Sequence, residues 1–312
     1  MVRTRFEPDR GLTARMVLTM FLLGLVYVLF IAALIAVLGR RMWPVVLVIA
    51  GGFLFVQYYF SDRLALFAMR GRLVSPQEAP ELHGIVDRLC ALSDMPKPAV
   101  AIADTDVPNA FATGRNSRKA VVCATTGILR RLDADELEGV LSHELSHVAH
   151  RDVAVMTIAS FLGVLAGMVT RFGLQMGLYG GFGGYGGGRR GDDRDNSAAV
   201  FMLVLLISAL VYAISFLLIR ALSRYRELAA DRAGALLTGK PSTLAAALVK
   251  ITGEMARIPT RDLRSAEPFN AFFFAPAFAK GASLSSLFST HPPLERRLDQ
   301  LGTIAAQLGK AG

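Results

Sequence analysis

His143-Glu144-Leu145-Ser146-His147 decides the reading of this chain. It is an H-E-x-x-H signature, and on a helix positions i and i+4 share one face, so both imidazoles can reach one metal ion. Glu144 falls beside them, where a carboxylate can take a proton from an activated water. That spacing is the chemistry of a zinc hydrolase. The flanks support a helix. Leu132–Arg151 reads LDADELEGVLSHELSHVAHR. Asp133, with Glu136 three residues on, forms an N-cap pair, and early acids suit the positive end of a helix. Leu137, Val140, Leu141, Leu145 and Val148 make one apolar stripe at helical spacing. The alternative is a hydrogen-bonded histidine pair on a helix surface.

Working outward, the chain of 312 residues is 53% hydrophobic with a mean hydropathy of +0.44, which points to membrane segments. Four stretches stand out: Met16–Leu38, Met42–Phe60, Val153–Thr170 and Ala198–Ile219. The first is 23 residues without a charge, and the second is 19 residues ending in Gln57-Tyr58-Tyr59-Phe60, an aromatic belt. The third contains Gly163 and Gly167 and reads equally as a buried core helix. The first run is too long for a signal peptide, and no small-x-small site follows before Arg40 and Arg41. A retained anchor is expected.

The formal charge of +9 gathers as arginine beside the apolar runs: Arg3, Arg5, Arg10 and Arg15, then Arg63, Arg70 and Arg72, then Arg151, then Arg220, Arg224 and Arg226. This is the positive-inside pattern, and it reports topology and lipid contact; no nucleic-acid partner is expected. Cys90 and Cys123 form no C-x-x-C pair and read as reduced structural thiols. With the N-terminus in the cytosol, residues 1–60 are a two-helix anchor. Residues 61–152 are the first half of a cytosolic domain, 153–219 a second membrane hairpin, and 220–312 the second half. The loop 171–197 fits less well, with Arg171, Arg189, Arg190 and Arg194 on the outer side. Its Gly180–Gly191 core lacks a Gly-Lys-Ser/Thr ending and reads as a linker, not a phosphate loop.

Within the polar halves, Pro80–Ser93, Ser242–Arg257 and Pro292–Leu308 read as helices. Ala99–Ala103 and Lys119–Ala124 read as strands, Val107–Gly114 as a turn-rich stretch, and Arg261–Phe288 as irregular, with an exposed run Phe269–Phe278. A hydrolytic zinc site takes three protein ligands plus water. His150 shares the helix with the pair and cannot wrap the ion, and His83 reads as a surface residue. Glu227 and Asp231, i and i+4 in SRYRELAAD, are the remaining option: Glu227 as ligand with Asp231 orienting a ligand histidine, or else a surface acid pair among arginines. His147 lies six residues before Val153 and Glu227 eight after Ile219. Two helical arms at about 1.5 Å per residue would carry them to one height, roughly 10 Å above one membrane face.

The H-E-x-x-H, the hydrophobic hairpin and Glu227-Leu228-Ala229-Ala230-Asp231 together resemble the M48 family of membrane zinc metallopeptidases, in particular its bacterial heat-shock protease branch, HtpX. Asn109-Ala110-Phe111-Ala112 and Ser289-Thr290-His291-Pro292-Pro293-Leu294-Glu295-Arg296-Arg297 resemble further motifs of that family. The resemblance covers nearly the whole chain and leaves the Gly- and Arg-rich loop unmatched. It implies a mainly helical α+β fold, a gluzincin-like metallopeptidase domain with four transmembrane helices in two hairpins. It implies one zinc per chain on His143, His147 and Glu227, and Glu144 as general base. Asp231 would orient a ligand, His291 would stabilise the oxyanion or hold substrate, and Asn109 would line the site. The family cleaves cytosolic parts of damaged membrane proteins. This implies a multi-pass protein of the bacterial inner membrane, in contact with the bilayer and with membrane-protein and unfolded polypeptide substrates. An edge strand near Val121 and Val122 is expected to hold extended substrate by β-pairing.

Rival readings weigh less. An intramembrane protease would bury the signature in an apolar run, yet Asp133, Asp135, Glu136, Glu138, Arg151 and Asp152 surround it. A transporter or channel calls for ionisable residues inside the spans, and the four spans hold none. An inert metal-binding scaffold has no need of Glu144.

Overall fold

The computed structural model describes residues 9–38, 69–114, 116–153, 191–257 and 291–311, with isolated positions at 6, between 44 and 67, and at 155–156. Most of Met42–Phe60 and Val153–Thr170, the loop core 180–190 and the Phe269–Phe278 run lie outside the described residues.

In chain order the described elements are α1 (Arg10–Leu38), β1 (Gly71–Leu73), α2 (Pro80–Ser93), β2 (Ala99–Ala103), β3 (Ala110–Thr113), β4 (Val121–Thr125), α3 (Thr126–Arg131), α4 (Ala134–His150), α5 (Gly191–Thr238), α6 (Pro241–Arg257) and α7 (Leu294–Ala311). The fold is α+β and mainly helical. The chain divides into two units: Met1–Ala14, Tyr59–Ala154 and Arg220–Gly312 form one, and Arg15–Tyr58 and Val155–Ile219 the other.

The first unit carries a four-stranded sheet in the order β1-β2-β4-β3. β2 and β4 run parallel, and β1 and β3 are antiparallel to their neighbours. This corrects the edge-strand expectation. Val121 pairs with both Ala99 and Thr113, and Val122 with both Val100 and Ala112, so β4 is interior and cannot accept a substrate strand. The edge on that side is β3, in the stretch read from sequence as turns.

Helix α4 packs against β3, α2 and α6. Asp133 caps it: its side chain accepts from the Glu136 N–H, and the Glu136 carboxylate accepts from the Asp133 N–H, a complete capping box. Val140, Leu141 and Leu145 of α4 are buried in one core with Val86 and Leu89 of α2, Val100 and Val122 of the sheet, and Leu244, Leu248 and Leu301 of α6 and α7. Each such side chain contributes roughly 1.5–3 kcal/mol by leaving water, which anchors α4 firmly in the unit. His83 belongs to this interior rather than the surface: it is buried, with Nε2 3.0 Å from the Val74 carbonyl. Cys90 and Cys123 are free and buried, and burial pushes both thiols up, to about 11 and about 12.

In the second unit, Phe30 and Val211 are buried against Val26, Val204 and Ile207, joining α1 to α5. Outward-facing side chains are apolar: Phe21 is 65% and Leu206 68% exposed. Two helical stretches among the described residues are long and apolar enough to cross a membrane, Arg10–Ala33 and Met202–Thr238. In the second, the apolar part ends at Ile219 and Arg220 opens the polar part.

Candidate active site

Helices α4 and α5 must lie very close for Glu227 to meet the histidines, and Gly234 makes that approach possible. A Cβ there would sit 2.8 Å from Ser142 Oγ and 3.0 Å from the His143 backbone nitrogen. Gly139 on α4 does the same service toward α6, where a Cβ would meet Leu244 Cα at 3.3 Å. The outcome is a buried cluster: ligand atoms of His143, His147 and Glu227 all lie within 4.8 Å of one another. Nε2 of His143 is 3.5 Å from one Glu227 oxygen, and Nε2 of His147 is 3.6 Å from the other. Ligands bound tetrahedrally at 2.0–2.1 Å stand about 3.3 Å apart, close to the distance from each histidine nitrogen to its own Glu227 oxygen, so the cluster could hold one ion.

Each histidine is held from behind. Nδ1 of His143 is 2.8 Å from Asp231 Oδ1, and Nδ1 of His147 is 2.9 Å from Asp152 Oδ2. A carboxylate on Nδ1 fixes the tautomer and turns Nε2 toward the metal. Asp152 reaches back because Arg151, in the left-handed region at φ 57°, ends α4 and reverses the chain. Behind each aspartate stands an arginine. Arg297 of α7 grips Asp231 with two bonds of 2.6 and 2.7 Å. Nη1 of Arg226 lies 3.5 Å from Asp152 Oδ1, and its Nη2 donates to Glu227 Oε1 at 3.1 Å.

Charge bookkeeping supports a dication. Glu144, Asp152, Glu227 and Asp231 are buried carboxylates, and Arg226 and Arg297 are buried guanidinium groups. Among these six described groups two negative charges remain, and buried charge is tolerated only when balanced. Without a metal, protons take part of that place. Burial lowers His143, but its bonds to Asp231 and Glu227 outweigh this and carry it up to about 9. Burial and the nearby Arg226 keep His147 below its usual value despite Asp152. Burial would raise Glu227, yet His291, His143 and Arg226 hold it well below the carboxylate range.

Glu144 faces the edge strand. Its Oε2 accepts from the Ala112 N–H of β3 at 2.9 Å, and burial pushes its carboxyl up to about 7. His291 is buried with Nδ1 3.1 Å from Glu227 Oε2. Asn109 is buried at the start of β3, where its N–H donates to Thr125 Oγ1 and its carbonyl accepts from the Thr125 N–H, both at 2.9 Å. The structure thus brings His143, Glu144, His147, Glu227, Asp231 and His291 together and places Val121 and Val122 in the sheet interior. Sequence reasoning missed Asp152, Arg226 and Arg297. The signal available was place in sequence: Arg226 precedes Glu227, Arg297 closes the quoted motif that begins at Ser289, and Asp152 lies five residues past His147.

The comparisons agree with this geometry. The model of peptidase family M48 matches residues 76–305. The chain is 62% identical to protease HtpX homolog 1 of Streptomyces coelicolor, over 99% of this chain and 98% of that one. It is 53% identical to the protease HtpX homolog of Moorella thermoacetica, over 98% and 99%. It is 50% identical to protease HtpX homolog 2 of Methanosarcina mazei, over 96% and 97%. The fold is similar to that in the crystal structure of S. mikatae Ste24p, with a TM-score of 0.50 at 17% identity, covering 94% of this chain and 67% of the other. A metal-spaced His-His-Glu cluster with a buried glutamate beside it, on a chain matched from end to end by such relatives, places the protein in peptidase family M48.

Proposed function

We propose that this chain is a membrane-anchored, zinc-dependent endopeptidase that cuts misfolded or damaged membrane proteins on their cytosolic side. The observation that carries the reading is the convergence of His143, His147 and Glu227 within 4.8 Å beside Glu144. One zinc ion per chain fits the spacing, the nitrogen and oxygen donors, and the two uncompensated negative charges. When bound, the metal supplies Lewis acidity, which makes water nucleophilic near neutral pH and polarises the scissile carbonyl.

The chain's own residues do the rest. Glu144 takes the proton from the attacking water and hands it to the leaving amide nitrogen. Burial raises its carboxyl toward neutral pH, where a general base and acid is most useful. The Ala112 N–H keeps its carboxylate aimed. His291 stands against Glu227 through Nδ1, where it would stabilise the oxyanion or hold substrate. β3 is the edge of the sheet, and the outward backbone groups that remain beside the Ala112 N–H engaged by Glu144 would give an extended, unfolded polypeptide a strand to pair with, with Asn109 at the start of that strand. Backbone pairing is tolerant of sequence, which suits quality control under stress.

The two described apolar helices, with Met42–Phe60 and Val153–Thr170, would make four spans in two hairpins across a bacterial inner membrane. The arginines beside them keep both halves of the peptidase domain, residues 61–152 and 220–312, in the cytoplasm. An inert zinc-binding scaffold is disfavoured, because a buried carboxylate such as Glu144 costs stability and a structural metal has no use for it.

The test is cleavage of an unfolded membrane protein in detergent by wild type and Glu144→Gln, with zinc measured in both. One zinc in each and a loss of about 10²–10⁴ in rate for the variant is expected. Equal cleavage by the variant overturns the reading.

A further inference from the structure

Arg226 is a buried cation to which the mechanism above gives no task. It is 9% exposed, and one step along α5 from Glu227. Its Nη2 donates to Glu227 Oε1 at 3.1 Å, and its Nη1 stands 3.5 Å from Asp152 Oδ1. Asp152 in turn holds Nδ1 of His147 at 2.9 Å. The guanidinium plane therefore joins a ligand from α5 to the carboxylate that orients a ligand from α4. His147 and Glu227 are 80 positions apart in sequence, and this fork is a side-chain link that runs between them outside the metal itself.

As a stability device the arrangement is poor. The Arg226 Nε and the Asp152 Oδ1 are buried with no hydrogen-bond partner among the described residues. Leaving such donors and acceptors unsatisfied costs free energy, and an apolar side chain of like volume would often serve folding as well or better. Arg297, by contrast, turns two nitrogens on one carboxylate, Asp231, in two short bonds. Arg226 stands between two partners, hydrogen-bonded to Glu227 Oε1 and in ion-pair contact with Asp152 Oδ1 at 3.5 Å, and a planar guanidinium can face both at once where a point charge does not.

We propose that Arg226 is a positioning residue: through Asp152 and Glu227 it sets the separation and aim of His147 and Glu227 before the metal arrives. The inference rests on the metal site of the proposed function. Its consequence is a preorganised pocket, in which the metal finds its ligands already spaced.

The test uses the full chain in detergent, stripped of metal and titrated with zinc against a chromophoric chelator, and separately loaded with cobalt(II) to read coordination by visible absorption. The variants are Arg226→Lys, which keeps the charge and loses the fork, Asp152→Asn, and both together. Each single change is expected to weaken zinc binding by about 10–100-fold and to weaken the tetrahedral cobalt band, while far-UV circular dichroism stays as in wild type. The double variant is expected to bind no worse than the weaker single one, because both act through one link. Binding by Arg226→Lys within about twofold of wild type overturns the proposal, and so do losses that multiply in the double variant. Should Arg226→Lys not fold, Arg226→Gln takes its place under the same criteria. Failure of wild type itself to bind one ion contradicts the metal site, and so separates that error from an error about Arg226.

Discussion

His143 and His147 lie one turn apart on the same buried helix, and each leans on an aspartate backed by an arginine, yet their surroundings drive them in opposite directions. The His143 arm is tight: Asp231 is fully buried, gripped twice by Arg297, and the imidazole rises to about 9. The His147 arm is loose: Asp152 meets Arg226 only at 3.5 Å, and the ring stays below its usual value. The difference lies in where the second charge goes. Arg297 grips Asp231 twice, and His143 is bonded to both Asp231 and Glu227, which favour its proton. Arg226 divides itself between Asp152 and Glu227, and its charge opposes a proton on His147. One ligand of the site thus waits protonated and the other waits neutral.

Breaking the tight arm has the largest expected effect. Asp231→Ala strands Arg297 in the interior and releases the His143 ring, and removing one partner of a buried pair costs about 3–5 kcal/mol. Chemical denaturation of the metal-free protein in detergent reads this directly, and a cost under roughly 1 kcal/mol would show that the arm carries no weight.

Crowding the same arm comes next. Gly234→Ala puts a methyl against Ser142 Oγ and the His143 backbone and forces α4 and α5 apart. The cost expected is about 1–3 kcal/mol, with weakened metal binding, since Glu227 and Asp231 travel with α5. Unchanged metal affinity would mean that the two helices can separate without disturbing the ligands.

The smallest effect, and the one that sharpens the comparison most, is with pH. His143 is raised above its unfolded value of about 6.5, and Glu144 above about 4.3. A raised group stabilises fully below its unfolded pKa, and that stability is lost as pH rises through the folded one. Metal-free protein should therefore lose stability as pH rises, through Glu144 between about 4.3 and about 7 and through His143 between about 6.5 and about 9. Glu227 and Asp231, held low, are ionised in both states across the His143 window and add no slope there. A metal must displace the His143 proton, so its affinity should climb about tenfold per pH unit below 9, with one proton released per ion. Calorimetry in buffers of different ionisation enthalpy counts that proton. A count near two would put His147 on the same footing as His143 and erase the asymmetry.

How much of this was legible in the sequence depends on whether the signal was local. The capping box at Asp133 and Glu136, helix α2, strand β2 and the H-E-x-x-H pair all follow from residues within a few positions of one another. Glu227 and Asp231 could be placed on one helix face, but whether that face met α4 depended on Gly234, a contact between distant segments. Strand β3 was hidden because Ala110–Thr113 is short, has no β-branched run and lies between Pro108-Asn109 and Gly114, which read as turns. The error over Val121 followed, since the order of strands in a sheet is not written in any one strand. Arg226 was read as one of the arginines beside a membrane span, and its second use is visible only in three dimensions.

X-ray absorption at the zinc edge of the purified protein tests the central claim most directly. The account predicts one zinc per chain, bound only by nitrogen and oxygen at about 2.0–2.1 Å, with imidazole scattering from two histidines. A sulfur shell near about 2.3 Å, or a single imidazole, would contradict it.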